Sequence, residues 1–169
     1  MKKILASAAV AAAMALPAMP AQSADLATTL RVMGEVNEFS FDTFIAAAEA
    51  VGLFDELAEG GAYCSNGCTV FAPTDEAFGA LPAGTVETLL QQENRQQLRE
   101  IIQHHILPQT FTLDDIISRQ GEALAYDYSF LPYTGIATRQ LMAGGTGIVR
   151  GDVDANNGVI HVISGVITP

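Results

Sequence analysis

Thr69–Phe78 reads TVFAPTDEAF, and the rest of the chain is organised around it. Thr69, Val70, Phe71 and Ala72 are β-branched, aromatic or small, the residue types of a buried strand. Pro73 has no N–H to offer a neighbouring strand and ends the ladder. Thr74 carries a hydroxyl that can cap a helix, and Asp75 and Glu76 put negative charge on the first turn, where the helix dipole favours it. Phe78 falls on the face that turns back to the core. The segment is strand, stop and capped helix in quick succession. It holds no nucleophile or ligand set, so it reads as architecture.

Far upstream the chain opens with Lys2 and Lys3, an unbroken apolar run from Ile4 to Leu16, then Pro17, Pro20 and the small residues Ala21, Ser23 and Ala24. This is the pattern of a bacterial export signal over residues 1–24, too short in its apolar part to span a membrane. It predicts an exported protein, periplasmic or extracellular, with no membrane span in the mature chain. Residues 25–36 are expected to form an N-terminal arm or helix, and 37–169 one domain with room for a proper core. All 19 acidic residues follow the signal, against six arginines and no lysine, which leaves the mature chain at −13. Such a surface repels nucleic acid and anionic lipid.

Both cysteines lie just before the opening strand, Cys64 and Cys68 in YCSNGC. In an exported chain they read first as a small disulfide closed by the Ser65-Asn66-Gly67 turn. Free thiols, or a redox or metal pair, are the other readings.

Between the cysteines and the signal, Phe41, Phe44, Ala48 and Val51 recur at helical spacing, with Ser40 or Asp42 to cap the start. Downstream, Leu98, Ile101, Ile102 and His105 repeat at i, i+3, i+4 and i+7 behind a cap at Asn94. Arg95 and Arg99 take the outer face, and Arg99 has Glu93 or Glu100 to pair with. Thr112 with Asp114 and Asp115 starts a further short helix. After Gly121 the pattern changes to strands, over Ala123–Tyr128, Ile136–Met142, Gly147–Arg150 and Gly158–Thr168. Helices first and strands last make an α+β fold. To be buried, Thr69–Ala72 must pair with something distant, and the final strand is the expected partner.

Three segments in order resemble one family. TVFAPTDEAF resembles the first signature segment of fasciclin domains, and NGVIHVISGVITP (Asn157–Pro169) the second. Gln103–Pro108, QHHILP, stands where that family carries Tyr-His followed by Ile/Leu-Leu-Pro. The resemblance covers about 37–169. It implies a wedge of two small β-sheets packed with several α-helices, with the two signature strands central. It also implies a secreted or surface protein of the cell-adhesion, matrix-contact and protein-binding class, not an enzyme. His104 occupies the usual Tyr position, and Ser164 a usual Asp position.

Few residues offer chemistry. His104 and His105 are adjacent, so on a helix they point about 100° apart and do not chelate one ion together. His105 shares the apolar face and reads as a buried histidine bonded to backbone or a carboxylate, whereas His104 reads as exposed and available for recognition. His161 alternates within a strand and reads as structural. Asp152, Asp154 and Asn156 have the spacing that opens a calcium loop, but the glycine comes one place late and Ile163 stands where the bidentate Glu belongs, so a turn is the better reading. There is no GxSxG, Walker A, GxGxxG or HExxH. The candidate binding residues are therefore His104, His105 and the aromatics Tyr126, Tyr128 and Tyr133, with no catalytic residue, metal or cofactor expected. The expected partner is a surface or matrix protein or a glycan. A periplasmic small-ligand or thiol-redox protein is the alternative.

Overall fold

The computed structural model describes residues 24–36, 39–57, 64, 66–119, 121–124, 130–135 and 141–168. Tyr126 and Tyr128, residues 1–23 of the signal segment and Ser65 lie outside them. The helical part comprises α1 (Leu26–Val36), α2 (Asp42–Ala50), α3 (Leu53–Leu57), α4 (Asp75–Gly79), α5 (Thr85–Leu89), a 3-10 turn at Gln92–Asn94, α6 (Arg95–His104) and α7 (Leu113–Arg119). The strands are β1 (Cys68–Pro73), β2 (Ile106–Leu107), β3 (Gly121–Leu124), β4 (Phe130–Gly135), β5 (Leu141–Ala143), β6 (Thr146–Ala155) and β7 (Gly158–Ile163). Their order is β2-β1-β7-β6-β5-β4-β3.

β1 and β7 pair as expected, and they do so in parallel, from Cys68 opposite Gly158 to Pro73 opposite Ile163. A Cβ on Gly158 would collide with the Cys68 carbonyl, so this approach requires glycine. Every residue of β1 is buried, and alternation along the strand divides the interior in two. Val70 and Ala72, with Ile160 and Val162 from β7, face a large core with Leu26, Leu30, Phe41, Phe44, Leu53, Leu57 and Ile102. Phe71 and Ile163 face a smaller one with Leu107, Phe111, Ile116, Ala143 and Ile167. Residues 25–36, expected as an arm or helix, form α1, which lays Leu26, Leu30 and Met33 into the large core.

The expected two small sheets are joined through β6 into one seven-stranded sheet. The start of β6 pairs with β5 and its remainder with β7, with register shifts between Ile148 and Arg150 and between Arg150 and Val153. The strand continues through Asp152 to Ala155, beyond the expected end at Arg150. The turn is confined to Asn156 and Asn157. Phe130–Gly135 is also a strand, between the expected strands Ala123–Tyr128 and Ile136–Met142. Pro132 has no N–H to give a ladder. It is tolerated there as an exposed residue opposite Glu122, and its carbonyl accepts from Gly144 N–H at 2.7 Å.

Several caps come from farther away than expected. Thr74 caps α4 as read, accepting from Ala77 N–H at 3.3 Å. Asp75, however, turns to α2: its carboxylate accepts from Thr43 N–H at 2.8 Å, Asp42 N–H at 3.3 Å and the Ser40 hydroxyl. α2 is thus capped by α4 and not by Ser40 or Asp42. Asn94 does not cap α6 with its side chain but donates to the Thr88 carbonyl at 2.7 Å. Arg99 reaches Glu56 at 2.8 Å and the Val51 carbonyl at 2.9 Å, tying α6 to the ends of α3 and α2. Asn157 accepts from Leu26 N–H and donates to the Leu57 carbonyl, so the β6–β7 turn fastens α1 and α3.

Candidate functional site

The leading candidates from the sequence are the two histidines at the end of α6. α6 ends at His104, and the apolar spacing that directs Leu98, Ile101 and Ile102 inward carries the chain end in with them. His105 is fully buried, with Phe44 at its edge at 6.0 Å between ring centres. Ile167 N–H donates to His105 Nε2 at 2.9 Å. A backbone N–H can only donate, so Nε2 holds a lone pair and Nδ1–H donates to the Ile101 carbonyl at 2.7 Å. The ring fastens the end of α6 to the C-terminal segment, as a buried histidine bonded to backbone. His104 is buried too, at 4% exposed. The expectation that it faces solvent is corrected: as the last residue of α6 it turns in where the chain bends into β2.

His161 shows the mirror arrangement. It is fully buried on β7, 5.5 Å from the Phe71 ring. Asp152 N–H donates to Nδ1 at 3.2 Å, so the proton sits on Nε2 and donates to the Phe111 carbonyl at 2.7 Å. Burial pushes the ring below the usual histidine value of 6.5, against the opposing pull of the Phe111 carbonyl and the Asp152 carboxylate. Asp152 itself serves the fold: Oδ1 accepts from Leu113 N–H at 2.8 Å. Among the described residues no group of three or more His, Cys, Asp or Glu is placed to hold a metal ion, and Asn157 of the same stretch is bonded to α1 and α3.

Cys64 and Cys68 form a disulfide, with Cα atoms 5.0 Å apart and both residues buried. Gly67 N–H donates to the Cys64 carbonyl at 3.1 Å and closes the turn. Buried sulfurs are out of reach of an attacking thiolate.

Tyr133 lies on β4 opposite Gly121 and Ala143. A concave surface of about 340 Å³ opens elsewhere, between α2, α4 and α5. Phe78, Leu81, Pro82 and Val86 line it, with Thr43 and the carboxylates of Asp75 and Glu87. Asp75 stays ionised there: burial raises it, but hydrogen bonds from Ser40, Thr43 and Asp42 outweigh that and hold it below the usual 3.8. The sequence reading missed this cleft. Its apolar wall was legible as helix faces, but nothing local tells that Asp75 and Glu87 line one cleft.

The fasciclin domain model matches residues 39–169, more than three-quarters of the chain. The chain belongs to the fasciclin domain family. That family is generally non-enzymatic. Two Synechocystis proteins are similar along most of their length. Protein sll1483 is 38% identical over 150 residues, covering 86% of this chain and 76% of its own. The second, sll1735, is 35% identical over 138 residues, covering 78% and 92%. The transforming growth factor-beta-induced protein ig-h3 of Sus scrofa is 30% identical over 150 residues, which are 85% of this fasciclin chain but 20% of ig-h3. Among solved structures, a FAS1 domain pair from the insect cell adhesion molecule fasciclin I aligns with a TM-score of 0.48 at 17% identity, over 85% of this chain and 45% of that one. No helix among the described residues is long and apolar enough to cross a membrane.

Proposed function

We propose that this fasciclin domain is an exported, non-enzymatic recognition module that meets a partner protein or glycan at the cell surface or in the matrix. The observation that carries the reading is the family match over residues 39–169. The burial of the chemically capable side chains agrees with it: His105 and His161 hydrogen-bond inward, His104 is covered, and the cysteines are bridged. Two regions are candidates for recognition. One is the aromatic stretch Tyr126, Tyr128 and Tyr133, read from the sequence. The other is the acidic cleft beside α5, whose charged lining, Asp75 and Glu87, is wholly negative and suits a basic side chain with an apolar stem. The thiol-redox alternative is disfavoured by the buried bridge.

The test is a deletion strain assayed for attachment, aggregation and growth, complemented by the wild type, by Tyr128→Ser/Tyr133→Ser and by Glu87→Lys. Reduced attachment with normal growth is expected, restored by the wild type and by only one of the two variants, which identifies the surface. Attachment equal to wild type in the deletion strain overturns the reading.

A further inference from the structure

Recognition at the surface makes no use of His161, yet the geometry around it is demanding. The ring lies between β1, β6 and the segment leading into α7, and both nitrogens are engaged by backbone groups, Asp152 N–H and the Phe111 carbonyl. Asp152 is held from two sides. It adopts φ 52, a left-handed conformation that a non-glycine residue keeps only when its surroundings enforce it. Its N–H goes to the ring and its Oδ1 takes Leu113 N–H. The space is full: a Cβ on Gly151 would stand 2.8 Å from His161 Nδ1 and 2.5 Å from Leu113 Cδ2.

We propose that His161 is an acid-operated latch, whose neutral ring holds the β6 bulge and the start of α7 against β7 and whose protonation releases them. The reason is the direction of one hydrogen bond. A proton added at Nδ1 points at Asp152 N–H, donor against donor, in a site with no slack. Asp152 must then turn, and its carboxylate, drawn to the new charge, leaves Leu113 N–H. α7 loses its tie to β6. Phe111 and Ile116, which belong to the smaller core, are the residues this opening uncovers.

Burial is the largest influence on the ring and opposes a second proton, while the Phe111 carbonyl and the Asp152 carboxylate on β6 favour it. On α7, Asp115 accepts from the Thr112 N–H and hydroxyl at 3.2 and 2.9 Å. β1 presents the Phe71 ring, and the segment before α7 presents the Phe111 carbonyl. Because the folded ring binds its proton less readily than an unfolded one, the latch is closed above about pH 6.5 and loosens as pH falls below it.

The test is a pH titration of the ¹⁵N-labelled protein from 7.5 to 4.5, following the His161 ring nitrogens and amide exchange together. At pH 7.5 the ring is expected as the Nε2–H tautomer. As it takes its second proton, Leu113, Asp152 and Ile116 amides lose about tenfold protection per pH unit beyond the intrinsic change in exchange rate, while Ala47 and Ala48 keep theirs. His161→Gln supplies a donor and an acceptor without titrating, and is expected to stay closed over the same range. A wild-type ring that becomes doubly protonated while those amides remain protected overturns the proposal, and so does a Gln variant that opens over the same range.

Discussion

On one side of β1, Val70 and Ala72 look into a core of leucine, phenylalanine and alanine supplied by α1, α2, α3 and α6. On the other, Phe71 looks into a smaller cluster bounded by polar groups. Thr69 donates to the Gln109 carbonyl at 2.8 Å and accepts from Phe111 N–H at 2.7 Å. His161 and Asp152 add further ties, and His105, whose ring also meets Phe44 of the large core, takes Ile167 N–H. One strand therefore has an apolar side that holds by area and a mixed side that holds by stitches. Burial of area is nearly independent of pH and forgiving in geometry. A buried hydrogen bond contributes little net, but leaving one of its partners unmet is costly. The first arrangement suits a scaffold and the second suits a part that can open.

Substitutions separate the two. Phe44→Ala removes a fully buried ring of the large core and should cost about 3–5 kcal/mol, seen as a shift of the whole urea transition. Thr69→Val keeps the shape and removes the hydroxyl that accepts from Phe111 N–H and donates to the Gln109 carbonyl. It should cost about 1–3 kcal/mol, and exchange should rise first at Phe111 and Leu113, not in α2. Asp75→Ala removes the cap that α4 lends to α2 and should cost about 0.5–2 kcal/mol at neutral pH. Since the folded carboxyl lies below its ordinary 3.8, that contribution is present above about pH 3.8 and fades as pH falls below it, well apart from the His161 window. Arg31→Ala breaks an exposed pair with Glu49 and should change stability by about 1 kcal/mol or less. If Arg31→Ala matched Phe44→Ala, the division by burial would be wrong.

The large core was the more legible side. Helical spacing from Phe41 to Val51 and from Leu98 to His105 gave α2 and α6, and TVFAPTDEAF gave β1, its stop and the Thr74 cap, because each signal lies within one turn or one strand of its cause. The need to bury Thr69–Ala72 pointed to the distant pairing of β1 with the final strand, and the family resemblance agreed with it. The stitched side was hidden for a matching reason. Asp152 serves Leu113, and Asp75 serves Thr43, across more than thirty residues, and no local pattern announces a cap supplied from so far away. The β6 bulge hid the strand's length, since Asp152–Gly158 has the composition of a turn. His104 misled because helix periodicity puts it beside the apolar stripe, while the bend into β2 turns it inward.

Native-state amide exchange at pH 7.5 across a shallow denaturant series tests the contrast between the two sides most directly. Amides of α7 and of β6 around Asp152 should open with a free energy at least about 1.4 kcal/mol below that of Val70, Ala72 and the amides of α2, a tenfold difference in open population. A single common opening energy on both sides of β1 would contradict it.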